Sequence, residues 1–376
     1  MIRRGLIGLL TLAVFLASPT VLPAAENKTW QAGAFLDLSY GLNFNFPDNH
    51  RWRSKETTNR TNELAPNMGY LYFEKDPTRD SRWGVEVAAQ AGYDTLSLVP
   101  RQQPIGGADT LRHLARANVS YLAPVGSGLT VVAGIFRGFR NFESYYAKNN
   151  FNYTRAYITD YNPNFMMGLG AEYDLSESME VGFYVLNEYQ YLAHANNLPS
   201  YAAILEWRVS KHVSAYQNVY YGPDQKQTAL KYWRAFSDST LEWRGEEWTF
   251  ALSYDIGTER MAEQQNTPRA FWMGSALFTQ WDLIGPWSVA LRPEFFWDPN
   301  GRMTQSKQLI WANTSTLEYM RHFGPQLGIL RLEHRYDHSS GQEGGFFTNG
   351  LTASGEPKLT AGQHSLWFSI IVAFDL

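Results

Sequence analysis

QHSLWFSIIVAFDL, residues Gln363 to Leu376, alternates between apolar and other residues up to its end: Leu366, Phe368, Ile370, Val372, Phe374 and Leu376 share one parity, and Ser365, Ser369, Ala373 and Asp375 stand on the other. Successive side chains of a strand point to opposite faces. The segment therefore presents one continuous apolar stripe. A soluble protein could bury such a stripe in a core. The pattern recurs along the whole chain, however, and the chain opens with an export signal, so the reading is an all-β protein: a transmembrane antiparallel β-barrel closed by its C-terminal strand.

Met1 to Ala25 carries Arg3 and Arg4, an apolar run from Leu6 to Leu16, and small residues with proline up to Ala25. This is the pattern of a secretory signal peptide, and its apolar run is too short for a spanning helix. Cleavage there leaves 26–376 as a single barrel domain with 30 Lys and Arg against 36 Asp and Glu, a net charge of −6. Nucleic acid is not an expected partner of so acidic a chain. No later segment has the length of a membrane helix, and the polar balance suits a barrel, in which only half the strand residues face lipid. The sequence has no cysteine, which excludes disulfides and thiolate metal sites. Its 22 Tyr and 13 Trp exceed what an ordinary core requires and suit the aromatic girdles of a barrel.

Alternating segments recur in order: Ala34 to Phe46, Asn67 to Lys75, Arg82 to Asp94, Leu111 to Leu122, Leu129 to Gly138, Phe165 to Tyr173, Met179 to Asn187 and Tyr201 to Val209. They continue as Val213 to Gly222, Trp233 to Trp243, Trp248 to Ile256, Phe271 to Trp281, Trp287 to Trp297, Gln308 to Tyr319, Leu327 to Asp337 and the terminal strand. That makes about 16 strands, with 14 or 18 as the alternatives, each near the length a tilted spanning strand needs. The connections alternate in length. Long stretches such as Pro47 to Pro66, Phe139 to Pro163 and His338 to Gly362 are separated by short ones such as Asp76 to Ser81, Ser210 to His212 and Arg244 to Glu247. Outer-membrane barrels have short periplasmic turns and long extracellular loops, so both ends of the barrel domain are placed in the periplasm and about eight loops outside.

Three stretches invite comparison with a known family: NVSYLAPVGSGLTVVAGIF at Asn118 to Phe136, LRPEFFWDPNGRMT at Leu291 to Thr304 and LGILRLEHRYDHSS at Leu327 to Ser340. Together they resemble the beta-barrel porin-2 family, described as OmpL-like, over nearly the whole of the chain after its signal. The resemblance implies a channel in the outer membrane of a Gram-negative cell. Its motifs are strand and turn patterns and say little about the solute. Such barrels commonly end in Phe or Trp for the barrel-assembly machinery, whereas this chain ends in Leu376.

A barrel of 16 to 18 strands leaves an aqueous channel. Charges at the midplane of the lipid face cost roughly 2 to 4 kcal/mol, so the less apolar strand face is the inner one. That face supplies the expected pore lining: Asp37, Glu86, Arg116, Glu172, Glu206, Arg208, Asp255, Arg292, Glu294, Arg331, Glu333, Arg335 and Asp337, with Glu180, Asp238 and Glu242 beside them. The alternating signs along Arg331 to Asp337 fit either a transverse field across the pore or wall charges that neutralise one another, and weak ion selectivity is expected.

In 16-stranded porins, which the chain resembles, the loop after the fifth strand folds inward and narrows the pore. Here that is Phe139 to Pro163, and its expected constriction residues are Arg140, Glu143, Tyr145, Tyr146, Lys148, Tyr153, Arg155 and Tyr157; an external loop with membrane-surface aromatics is the alternative. No G-x-S-x-G or HExxH motif occurs, and His334 and His338 on one strand would stand roughly 13 Å apart, so neither catalysis, metal nor cofactor is expected. The expected function is passive diffusion of small hydrophilic solutes and ions through a water-filled pore. The alternative is a scaffold or adhesin-like barrel whose loops or lumen hold a partner. Outer-membrane lipid, the assembly machinery and further copies of the chain in a homotrimer complete the expected partners.

Overall fold

The structure, a computed structural model, describes residues 30–98, 108–189, 196–225, 230–261 and 269–375. The proposed signal segment and Leu376 lie outside these residues. Sixteen strands form one closed antiparallel barrel. In chain order they begin with β1 (Gln31–Asn43), β2 (Leu64–Lys75), β3 (Trp83–Ala91), β4 (Leu114–Ala123), β5 (Leu129–Arg137), β6 (Phe165–Ser176), β7 (Met179–Leu186) and β8 (Ser200–Arg208). Next come β9 (Val213–Pro223), β10 (Trp233–Arg244), β11 (Trp248–Glu259), β12 (Ala270–Asp282), β13 (Trp287–Asp298), β14 (Gln308–Phe323) and β15 (Gln326–Ser339). A short hairpin, β16 (Phe346–Leu351) and β17 (Pro357–Thr360), interrupts the last long loop before β18 (Gly362–Asp375) closes the wall.

Every wall strand coincides with an alternating segment of the sequence, and each pairs with its chain neighbours except at the seam, where β18 joins β1 and β15. At that seam Leu36, Leu38, Tyr40 and Leu42 stand opposite Val372, Ile370, Phe368 and Leu366. The stripe read from the last strand therefore faces outward, with Phe368, Ile370 and Phe374 exposed, as lipid requires. Aromatics ring both rims of this outer face. Trp83 with Tyr121, Trp248 with Trp281 and Trp287 with Tyr319 sit at the end with short turns, and Tyr221 with Trp233 and Phe271 with Trp297 at the other. Amphipathic rings are stable at the boundary between hydrocarbon and headgroups.

β1 departs from expectation, ending at Asn43 rather than Phe46. Its apolar alternation continues past the point where pairing stops. The Asn43 N–H turns to Asn62 Oδ1 at 2.9 Å, and Phe46 takes a positive φ. From there the chain does not remain an external loop, as expected for Pro47 to Pro66, but enters the barrel: Trp52, Ser54, Lys55, Thr57, Thr58 and Thr61 are all buried. Non-glycine residues with positive φ recur at every fourth position, Phe46, His50, Ser54, Thr58 and Asn62. A β-branched residue such as Thr58 in the left-handed region costs roughly 1 to 2 kcal/mol, so this ribbon is held by its surroundings, not by local preference.

The hydrophobic core is accordingly the inside of the barrel. Phe35, Met68, Trp272, Phe278, Phe296 and Trp367 point inward and are buried. Gly41 on β1 makes room for one of them: a Cβ there would lie 2.3 Å from the Trp367 ring. Trp367 in turn stacks on Trp52 of the first loop, ring centroids 5.6 Å apart.

Candidate channel and its inserted loops

The loop between β5 and β6 also turns into the lumen, and the inner wall of β13, β14 and β15 is its socket. Glu333 accepts hydrogen bonds from the backbone N–H of Tyr153 at 2.6 Å and of Thr154 at 3.0 Å, and from Thr316 Oγ1 at 2.7 Å. Arg331 donates to the carbonyls of Ala147 and Asn150 while pairing with Glu318 at 2.6 Å. Arg292 pairs with Glu143 of the loop at 2.6 Å and donates to the Thr154 carbonyl. Glu294 accepts from the Tyr157 N–H at 2.7 Å, and Arg335 bridges Glu294 and Asp337 while donating to the Arg155 carbonyl. Two phenols complete the docking: Tyr153 donates to Asp37 and Tyr157 to Asp337, both at 2.9 Å.

These contacts give the alternating charges a physical task. An inserted loop buries many backbone groups that cannot all pair within the loop, and a buried polar group without a partner costs about 1 to 3 kcal/mol. Carboxylates and guanidinium groups projecting from rigid strands supply the missing acceptors and donors. Arg292, Glu294, Arg331, Glu333, Arg335, Asp337, Asp37, Arg116 and Asp255 are all inward and buried, so they contact the inserted chain and the wall instead of open water. The constriction candidates Glu143, Tyr145, Tyr146, Tyr153, Arg155 and Tyr157 are buried with them. Arg155 lies over the Tyr145 ring and beside Asp160, and Tyr145 and Tyr146 pack against Phe165. Lys148, half-buried, sits above the Phe35 ring.

The first loop locks onto the second. Lys55 Nζ meets Asp160 at 2.5 Å and donates to the Arg155 carbonyl, and Thr57 donates to Asp160 as well. Burial alone would push the Asp160 carboxyl up, but Lys55 and Arg155 hold it below the usual carboxylate range, while burial pulls the Lys55 ammonium down against the attraction of Asp160. Asp94, in the loop after β3, accepts from the Thr58 N–H at 2.7 Å, and burial pushes its carboxyl up to about 8. The sequence reading missed Trp52, Lys55, Thr58, Asp94 and Asp160; Trp52 and Lys55 in a polar, loop-length stretch carry no periodic signal that marks insertion.

Charge that remains open to water lies on another part of the wall. Arg140, at the start of the inserted loop, is bound by Glu206 at 2.5 Å, by Glu180, and by Glu172 at 3.7 Å, each of these four side chains about a quarter exposed. Glu86, equally open, meets Arg116 at 3.2 Å. Arg208 stands exposed at the rim of the short turns and donates to the Glu177 carbonyl. Three carboxylates around one guanidinium leave this accessible region of β6, β7 and β8 acidic.

No curated protein matches the sequence. Among solved structures the fold is similar to the anion-selective porin from Comamonas acidovorans (10% identity, 92% of this chain and 99% of that one, TM-score 0.55). It is similar also to the outer membrane channel DcaP of Acinetobacter baumannii (7%, 92% and 96%, 0.54) and to outer-membrane-expressed OmpT of Vibrio cholerae (8%, 94% and 99%, 0.54). The chain matches over residues 29–374 the family described as putative beta-barrel porin-2, OmpL-like, and belongs to it, an outer-membrane channel for solute diffusion.

Proposed function

We propose that the channel is narrow, passes only small hydrophilic solutes and ions, and favours cations. The observation that carries this reading is the contrast between the two inner walls. Charges on β13 to β15 are spent on holding inserted loops, whereas among the charges still in water Glu172, Glu180 and Glu206 outnumber Arg140, and Glu86 and Arg208 offset one another, so that negative charge is in excess. Fixed charge bordering a narrow aqueous path biases which ions enter it. In this reading the lining residues named from the sequence divide into loop sockets and true pore wall, and the loop after β5 sets the size limit together with the loop after β1. Export by a cleaved signal at residues 1–25, insertion by the assembly machinery, a lipid-embedded homotrimer and the lack of an enzymatic role belong to the same proposal.

Planar lipid bilayers under a KCl gradient test it. Small, stable steps with a reversal potential on the cation-selective side are expected. Large steps with no reversal potential would remove both the narrowness and the bias. A second reading, a low-conductance scaffold barrel, draws on the number of inward side chains that are buried, and silent insertion of folded protein would favour it.

A further inference from the structure

Asp238 on β10 and Asp255 on β11 are direct register partners, both 1% exposed, and their carboxyl groups are within hydrogen-bonding range of each other. An ionised carboxylate only accepts, so a bond between the two requires that one carry a proton. Two adjacent carboxyl groups away from water do not both ionise. Among the described residues no N–H or O–H reaches Asp255 Oδ1, which is fully buried, and the shared proton is the donor that this oxygen lacks.

The pair is closed by neutral amides, and these tie it to both limbs of the inserted loop. At the loop's start, Asn218 donates to Asp238 Oδ1 at 2.6 Å and exchanges hydrogen bonds with the Arg140 backbone, both at 3.2 Å. At its end, Asn162 donates to Asp255 Oδ2 at 2.8 Å and to the Ile158 carbonyl at 3.3 Å, while its oxygen accepts from the Asn141 side chain at 3.1 Å and so joins the limbs. Ile158 and Asn162 are fully buried here. Gly274, the register partner of Asp255 on β12, leaves the space, since a Cβ there would lie 2.6 Å from Ile158 Cγ2. The loop is thus the cover that keeps water from the pair. The charged and titratable groups around it have partners of their own: Arg234 on β10 with Asp224 and Glu259, Arg140 with Glu172, Glu180 and Glu206, Asp160 of the loop with Lys55, and the Tyr189 hydroxyl, which donates to the Tyr161 carbonyl.

Undocking of the loop admits water, and both groups then ionise as ordinary aspartates do, at about pH 4. The docked state therefore holds one proton that the undocked state releases. The pair's contribution to docking is complete below that pH and declines as pH rises, until the docked pair itself loses the proton. We propose that Asp238 and Asp255 form a proton latch, in which one shared proton holds the two limbs of the loop after β5 against β9 to β11 and alkaline solution frees them. That release also widens the pore rests on the reading above, in which this loop sets the size limit.

The test is trypsin cleavage within 139–163 of folded protein between pH 7 and pH 9, each rate divided by that of heat-denatured protein at the same pH. The parent is Asp94→Asn, which removes the loop carboxyl pushed up to about 8. To it is added Asp255→Asn or Asp238→Asn, in each of which an amide N–H that cannot be lost replaces the shared proton. Retained heat-modifiable mobility on gels certifies the barrel of each variant. One linked proton changes the open population about tenfold per pH unit, so cleavage of the parent should rise about 10- to 100-fold over this range, and that of each double variant by less than about twofold. A parent whose cleavage ignores pH, or double variants that accelerate as the parent does, would overturn the latch. Single-channel steps over the same range separate the two readings. Steps that grow with pH in the parent alone support both, whereas constant steps beside rising cleavage would remove the loop as size limit and leave the latch standing.

Discussion

Glu333 shows at the scale of one residue how this lumen works. Its two oxygens take two backbone N–H groups of the inserted loop and a wall hydroxyl, so the carboxylate orients the loop at Tyr153 and Thr154. Glu333→Gln keeps the shape but turns one acceptor into a donor that faces N–H groups. Hydrogen bonds to a charged group contribute about 1.5 to 3 kcal/mol. Undocking should become easier by roughly 2 kcal/mol, which raises trypsin cleavage near Lys148 and Arg155 by roughly 30-fold where cleavage follows the open population. Tyr153→Phe removes one neutral donor from Asp37 and should cost about 1 kcal/mol on the same assay. Asp94 adds a dependence on pH. Its docked carboxyl is pushed up to about 8 from an ordinary value near 3.8, so the docked state holds a proton that the undocked state releases. Its contribution to docking is complete below pH 4 and declines as pH rises to about 8. Cleavage should therefore accelerate from pH 5 to pH 8, and Asp94→Asn should flatten that slope. Asp160, held low, acts only in more acid solution.

Among the elements, β18 joins the outer wall to the inner plug. Its outer face is the lipid stripe, and its inner face carries Trp367, against which Trp52 and Tyr153 of the two inserted loops both pack, at 5.6 and 6.2 Å. Trp367→Ala should empty a site shared by both loops, and truncating a buried tryptophan costs about 3 to 5 kcal/mol. Because the wall hydrogen bonds of β18 are untouched, the expected result is a barrel of unchanged heat-modifiable mobility with larger and noisier conductance steps. Unchanged single-channel current would mean that Trp367 does not hold the plug. The wall itself was legible in the sequence because lipid outside and polar groups inside enforce alternation; Leu366 to Phe374 reads as a strand by itself, and as a barrel strand because the pattern recurs along the chain. The inner face was legible only as polarity. That Arg331 to Asp337 would seat a loop depends on contacts across about 180 residues, such as Glu333 to Tyr153, which no local pattern encodes. The loop after β5 was anticipated through family resemblance and its tyrosines, but the loop after β1 was not, since its repeated left-handed residues are neither glycine nor otherwise marked.

For the molecule as a whole, the formal charge says little about the path an ion meets, because most lumen charges are paired beneath the loops. On the proposed reading, what an ion meets is the accessible set around Arg140. Replacing Glu172, Glu180 and Glu206 together by Gln removes three negative charges and leaves the Arg140 guanidinium alone beside the water path. The reversal potential in a KCl gradient should cross from cation-selective to anion-selective, with step size changed far less than sign. The same substitutions at Glu294, Glu318 and Glu333, behind the loops, should alter noise and loop stability before selectivity. Screening supplies an internal check, since the Debye length is about 10 Å at 0.1 M and about 3 Å at 1 M. The wild-type bias should therefore weaken as both chambers are raised toward molar KCl. A bias that persists unchanged at 1 M, or survives the triple substitution, would place the selecting charges elsewhere than on β6, β7 and β8.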